Sequence, residues 1–128
     1  MIMTMQTAAG KTLFPEVQAF LSKEVHGAVN GGQEVTASNG DTFDTRDPGT
    51  GEKLATVSNM QPDDVERAVA AAQKAFDEAD WARLPVNERG VHLMRLADAV
   101  EQRKPIIAQI EALDSGKIEA QAADDVQN

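Results

Sequence analysis

The 128-residue chain is long enough for one modest domain and too short for two full ones. Its 21 acidic residues outnumber 12 basic ones, and a net charge of −9 with no offsetting Lys/Arg run disfavours nucleic acid and anionic membranes as partners. With no cysteine there is no disulfide, thiolate metal site or cysteine nucleophile, and four Phe, one Trp and an alanine-heavy apolar fraction predict a shallow core.

The residues before 13 carry little information, and Met1–Gly10 lacks the basic and apolar regions of a secretory signal, so the expected location is the cytoplasm. Ala9-Gly10-Lys11-Thr12 resembles the tail of a phosphate-binding loop, but Met5 stands where the leading glycine is needed. Phe14, Val17, Phe20 and Leu21 fall at helical spacing, with Pro15 suited to a first turn. Gly27, Gly31 and Gly32 then break the pattern.

Two extended runs follow, punctuated by the Asn39-Gly40 turn signal and by Asp47-Pro48-Gly49-Thr50-Gly51. Residues 42–47 read as a strand, and residues 53–57 alternate as a half-buried strand does. A small antiparallel meander is the simplest assembly. From Pro62 the period becomes helical, with Asp63 and Asp64 at the positive end of the dipole and Val65, Ala68, Val69, Ala72 and Phe76 on one stripe. A second helix opens at Pro85 and carries Leu93, Leu96, Ala97 and Val100. Pro105 is expected to restart the pattern, with Ile106, Ile110 and Leu113 before Gly116 as a C′ residue. A fourth helical segment begins near Ile118, and its stripe of Ala122, Ala123 and Val126 has no stop signal before Asn128.

No chemistry-bearing constellation emerges from spacing. The glycines at 27, 31 and 32 lack the strand-to-helix context of a dinucleotide fingerprint. His26 and His92 have no partner at ligand or triad spacing. Asp41, Asp44 and Asp47 recur every three residues, the wrong spacing for a calcium loop, and read as turn caps. The acidic residues form no acid–base pair and read as solvated helix faces.

Four adjoining stretches, taken together, resemble the aldehyde dehydrogenase family. Residues 42–52, TFDTRDPGTGE, are similar to its N-terminal signature, close to T-F-x-x-x-N-P-A-T-G-E. Asp63, Val65-Glu66-Arg67-Ala68-Val69, Ala71-Ala72 and Ala75-Phe76 resemble its first long helix. Trp81, Glu88-Arg89 and Leu93-Met94-Arg95-Leu96-Ala97-Asp98 resemble the next, and Glu111-Ala112-Leu113-Asp114-Ser115-Gly116-Lys117 resembles E-x-x-D-x-G-K. The set covers roughly residues 26–128 in the family's order. Asp47 replaces the usual Asn, Gly32-Gln33 stands where a G-E-W-type turn is common, and Ile118 stands where Pro usually follows Lys117.

The resemblance implies an α/β family fold with a nicotinamide-binding domain, of which this chain would be a helix-rich opening with a small β-meander. It implies a division into residues 1–25, an extension with a short helix, and 26–128, the incomplete first part of the cofactor-binding domain. The family oxidises aldehydes to acids with NAD or NADP, using a cysteine thiolate, a water-activating glutamate, an oxyanion-stabilising asparagine and phosphate-binding glycines. None of these maps onto the present residues, so the expectation is a truncated chain with no activity and no bound cofactor of its own. Some members hold a monovalent cation with carbonyls of the strand before the N-P turn and the E-x-x-D-x-G-K carboxylate; the matching positions are Thr45, Arg46 and Asp114. The alternative for Asp114 is to accept hydrogen bonds at the helix end. An uncovered stripe of roughly 400 Å² would forgo about 10 kcal/mol of burial, comparable with a domain's net stability. The isolated chain is therefore expected to be marginal, molten or self-associating, or to dock through its helix faces onto a full-length relative.

Overall fold

The computed structural model describes residues 12–128. The readings of the first eleven residues, the phosphate-loop likeness included, lie outside them. In chain order the elements are α1 (Pro15–Leu21), β1 (Ala28–Asn30), β2 (Gln33–Val35), β3 (Thr42–Arg46), β4 (Lys53–Ser58), α2 (Pro62–Glu78), a short 3-10 turn (Asp80–Arg83), α3 (Val86–Ser115) and α4 (Glu119–Gln127). The chain is thus helix-rich, as expected, and its strands form two separate two-stranded sheets, β1–β2 and β3–β4. The glycine break at 31–32 proves to be the turn of the first hairpin. Both residues have positive φ, 58° and 79°, which lets Asn30 pair with Gln33 across a two-residue loop.

The chain divides into two compact units. One comprises residues up to Glu24, Asp44–Thr56 and Asp98–Asn128; the other comprises Val25–Phe43 and Val57–Ala97. In the first unit Leu13, Val17 and Leu113 form a buried cluster, joined by Leu21, Leu54, Ile106 and Ile110. Val17 and Leu21 of the expected α1 stripe therefore face this core, joined by Leu13 from just before the helix, while Phe14 and Phe20 are exposed. Leu13, Val17 and Leu21, from the segment expected as an N-terminal extension, share this core with α3. Gln109, itself buried, fixes them: its Oε1 accepts the Phe14 N–H at 2.8 Å and its Nε2 donates to the Thr12 carbonyl at 3.3 Å.

A second cluster in this unit is built almost wholly from alanine. Ala108, Ala112 and Ala122 are buried, with Ala123 and Val126 against them, so α4 approaches α3 closely along small side chains. Lys117 reinforces the elbow between the two helices, donating to Glu111 at 3.0 Å and to Asp125 at 2.6 Å. These bonds, the one to Asp125 foremost and the one to Glu111 next, raise the Lys117 pKa.

The expected restart at Pro105 does not occur. A single 30-residue α3 runs through the proline. Proline removes one ladder bond at a cost of about 3 kcal/mol in a helix interior. Beyond it lie Ile106, Ala108, Ile110, Ala112 and Leu113, whose burial in both clusters holds that turn helical. Gly116 ends the helix at φ 74°, as its sequence position suggested.

In the second unit, His26 and Val57 form a parallel bridge, with the Ser58 N–H donating to the His26 carbonyl at 2.9 Å. The loop at 37–41 is tied to α2 and to Asn59. Asn59 donates its N–H to the Asp41 carbonyl at 2.8 Å and its Nδ2 to Asp41 Oδ2 at 2.8 Å.

Candidate functional site

The feature of the second unit that most needs explaining is its uncovered helical surface. In α2 the buried residue is an aspartate, Asp64, while the stripe read from sequence as a core face is open. Val65, Val69 and Phe76 are 53%, 62% and 79% exposed. The opening turns of α3 repeat this, with Val86, Val91, Leu93, Met94 and Leu96 all exposed. Contiguous exposed apolar rows are, in general, the kind of surface that another element or partner covers. His92 is exposed and lies beside the Trp81 ring, 6.1 Å between centroids and tilted by 57°. Between the first hairpin and α2 sits a shallow apolar cavity of about 180 Å³, lined by residues such as Val35, Met60, Val65 and Ala68.

Asp64 organises the start of α2. Its Oδ2 accepts the N–H of Gln61 at 2.9 Å, the N–H of Ser38 at 3.1 Å and the Ser38 hydroxyl at 3.3 Å, and Oδ1 pairs with Arg67. The sequence reading gave Asp64 only a dipole role; the Gln61/Asp64 spacing of three residues is the signal that would have found the cap. The Gln61 N–H, then that of Ser38, hold the Asp64 carboxyl below the usual aspartate range against the opposing pull of its burial. A depressed folded-state pKa adds stability above the unfolded value of about 3.9, lost as pH falls through the folded one. Acid unfolding is therefore expected to be steeper below about pH 4 for the parent chain than for Asp64→Asn. Melting temperature against pH is the measurement, and parallel curves would contradict it.

The predicted cation residues all lie in the first unit. Thr45 and Arg46 are on β3, half-buried and exposed respectively, and Asp114 is exposed in the last turn of α3. The turn after β3 and the residue after α3 meet at one point, where a Cβ added to Gly116 would lie 2.8 Å from Pro48 Cγ. The Arg46 guanidinium turns to the Gly51 carbonyl at 3.1 Å, which closes the β3–β4 turn. Among the described residues no three His, Asp or Glu side chains converge as a metal site, so a cation here would rest on carbonyl oxygens plus Asp114. The aspartates read as turn caps divide. Asp41 and Asp47 accept local N–H groups, Asp47 Oδ1 those of Gly49 and Thr50 at 2.7 and 3.2 Å. Asp44 instead pairs across the hairpin with Lys53 at 2.8 Å and is held ionised by it.

The sequence model described as "Aldehyde dehydrogenase family" matches residues 35–128. The chain belongs to the aldehyde dehydrogenase family. It is 42% identical over 117 residues to the mitochondrial benzaldehyde dehydrogenase of Antirrhinum majus, covering 91% of this chain and 22% of that protein. It is 44% identical over 86 residues to the putative aldehyde dehydrogenase DhaS of Bacillus subtilis, covering 67% of this chain and 17% of that protein. The aldehyde dehydrogenase of Bacillus cereus, solved as an NAD+ complex, superposes with a TM-score of 0.83 at 40% identity, over 90% of this chain and 23% of its own. The chain thus spans less than a quarter of the length of these aldehyde dehydrogenases.

The glycines and helix starts among the described residues take other roles than a dinucleotide fingerprint. β4 leads into α2 through Asn59-Met60-Gln61, a strand-to-helix step without glycine. The helix start that could receive a phosphate holds the carboxylate of Asp64 instead. Gly27 packs where an added Cβ would meet the Val35 carbonyl at 2.3 Å, and Gly31 and Gly32 serve a hairpin. No helix of the described residues is long and apolar enough to cross a membrane.

Proposed function

We propose that this chain forms the first part, residues 26–128, of the cofactor-binding domain of an aldehyde dehydrogenase using NAD or NADP, and that by itself it catalyses nothing. The uncovered rows on α2 and early α3 carry the reading: they are the faces that further chain of such a domain would bury. The chemistry supports it, because the family's thiolate attack needs a cysteine and these 128 residues have none. The test is reduced-nicotinamide absorbance after purified chain is mixed with aldehyde and NAD+ or NADP+. A blank-level rate is expected; a rate that tracks the purified polypeptide would overturn the proposal.

The second reading is a non-catalytic module that docks through the same rows, onto a full-length aldehyde dehydrogenase or onto itself. Co-elution with an intact relative, or a concentration-dependent mass for the chain alone, would favour it; a monomer in both cases would dismiss it. Thr45, Arg46 and Asp114 are proposed as part of a monovalent-cation site. Unchanged potassium-dependent stability after the Asp114→Ala equivalent in an intact homologue would remove that assignment. The proposed compartment is the cytoplasm; the Antirrhinum majus relative is by its name mitochondrial.

A further inference from the structure

Two of the five asparagines precede glycine, Asn30 and Asn39. That dipeptide is prone to deamidate, because glycine offers an unhindered amide nitrogen to the asparagine side chain. We propose that the fold directs this reaction to Asn39, making the 38–41 turn the chain's site of spontaneous conversion to aspartate and isoaspartate. In the step, the Gly40 nitrogen gives up its proton and bonds to Asn39 Cγ. The Cγ–Nδ2 bond breaks, and ammonia leaves with a proton. Water then opens the succinimide at either carbonyl, giving the aspartyl or the isoaspartyl linkage.

Three observations select Asn39. It is exposed, outside any strand or helix, and Gly40 has open space around it. Its Oδ1, where negative charge builds as Gly40 attacks, already accepts the Asp41 N–H at 2.9 Å, a donor placed for that developing oxyanion. The opposing restraint is one turn bond, from the Gly40 N–H to the Ala37 carbonyl at 2.9 Å. Asn30, by contrast, is half-buried and paired with Gln33 in the β1–β2 ladder, so rotating its backbone to close the ring disrupts the hairpin. Asn59 and Asn87 precede Met60 and Glu88, whose side chains crowd the attacking nitrogen.

The products matter locally. A carboxylate at 39 adds charge beside Asp41. The isoaspartyl form also inserts a carbon into the backbone next to Ser38, which holds Asp64 through both its N–H and its hydroxyl. Loss of amide protection at the start of α2 should accompany isoaspartate formation.

The full 128-residue chain would be aged in mildly alkaline buffer, with a parallel sample in urea, and conversion at both asparagines measured by peptide mapping. The rate at Asn39 relative to Asn30 is expected to be about five-fold higher in buffer than in urea, the effect of roughly one extra backbone hydrogen bond to open at Asn30. A ratio in buffer no greater than that in urea, or faster conversion at Asn30, would overturn the proposal.

Discussion

Replacing Leu113 with alanine is expected to lower stability by about 2–5 kcal/mol, the range for truncating a buried leucine. Leu113 joins α3 to Leu13 and Val17, and its neighbours Leu54, Ile106 and Ile110 are only partly buried. A void there has few atoms that can collapse into it without uncovering more apolar surface. The other buried apolar residues among those described are mostly alanines, at 37, 55, 108, 112 and 122, each contributing little area. Stability from buried apolar area is thus concentrated in a few large side chains of the first unit. Urea titration followed by circular dichroism is the check: the midpoint should fall sharply or the cooperative transition vanish. A midpoint equal to the parent's would mean that Leu113 does not carry the core.

The second large effect is expected at Gly116. Its φ of 74° belongs to the left-handed region, where a residue with a Cβ is strained by about 1–3 kcal/mol. A Cβ there would also lie 2.8 Å from Pro48 Cγ, in the turn that follows β3. Gly116→Val adds β-branching to both penalties, and a loss of about 3 kcal/mol is expected. Gly116→Ala should cost less, since it avoids the branching while keeping the strain. The same titration ranks the three proteins. Equal midpoints for glycine and valine would show that the helix end shifts freely away from the turn. That result would also weaken the cation assignment, which needs Asp114 and the Thr45–Arg46 strand held at fixed separation.

Much of the element layout was legible because it depends on local chemistry. Pro62 with two aspartates behind it opened α2, and Gly116 closed α3 at the expected residue. The ordered motifs from Thr42 to Lys117 carry the family resemblance in the sequence itself. Where the reading departed from the fold, contacts distant in sequence decided. Pro105 looks like a helix boundary because its missing N–H is a local fact; burial of the following turns against Leu13, Val17 and α4 is a tertiary one, and it outweighs the lost bond. The spacing of 14, 17, 20 and 21 found Val17 and Leu21, but that Leu13 joins them while Phe14 and Phe20 stay exposed depends on Leu113 and Leu54 lying on that side.

The sites divide in the same way. Sequence alone determined that no sulfur nucleophile exists in these residues, since that is a matter of composition. It determined the apolar rows of α2 and α3 as well, since a helical period is written in the spacing. Only the tertiary structure decided that those rows stay open while the carboxylate of Asp64 is the side chain that α2 buries. An apolar stripe states a demand for cover, and its position along one helix cannot say whether anything answers that demand. Asp64 likewise needed Ser38, 26 residues away, to bring its two donors to one oxygen. Burial and hydrogen-bond satisfaction are properties of what lies opposite, and that is fixed only when the chain folds.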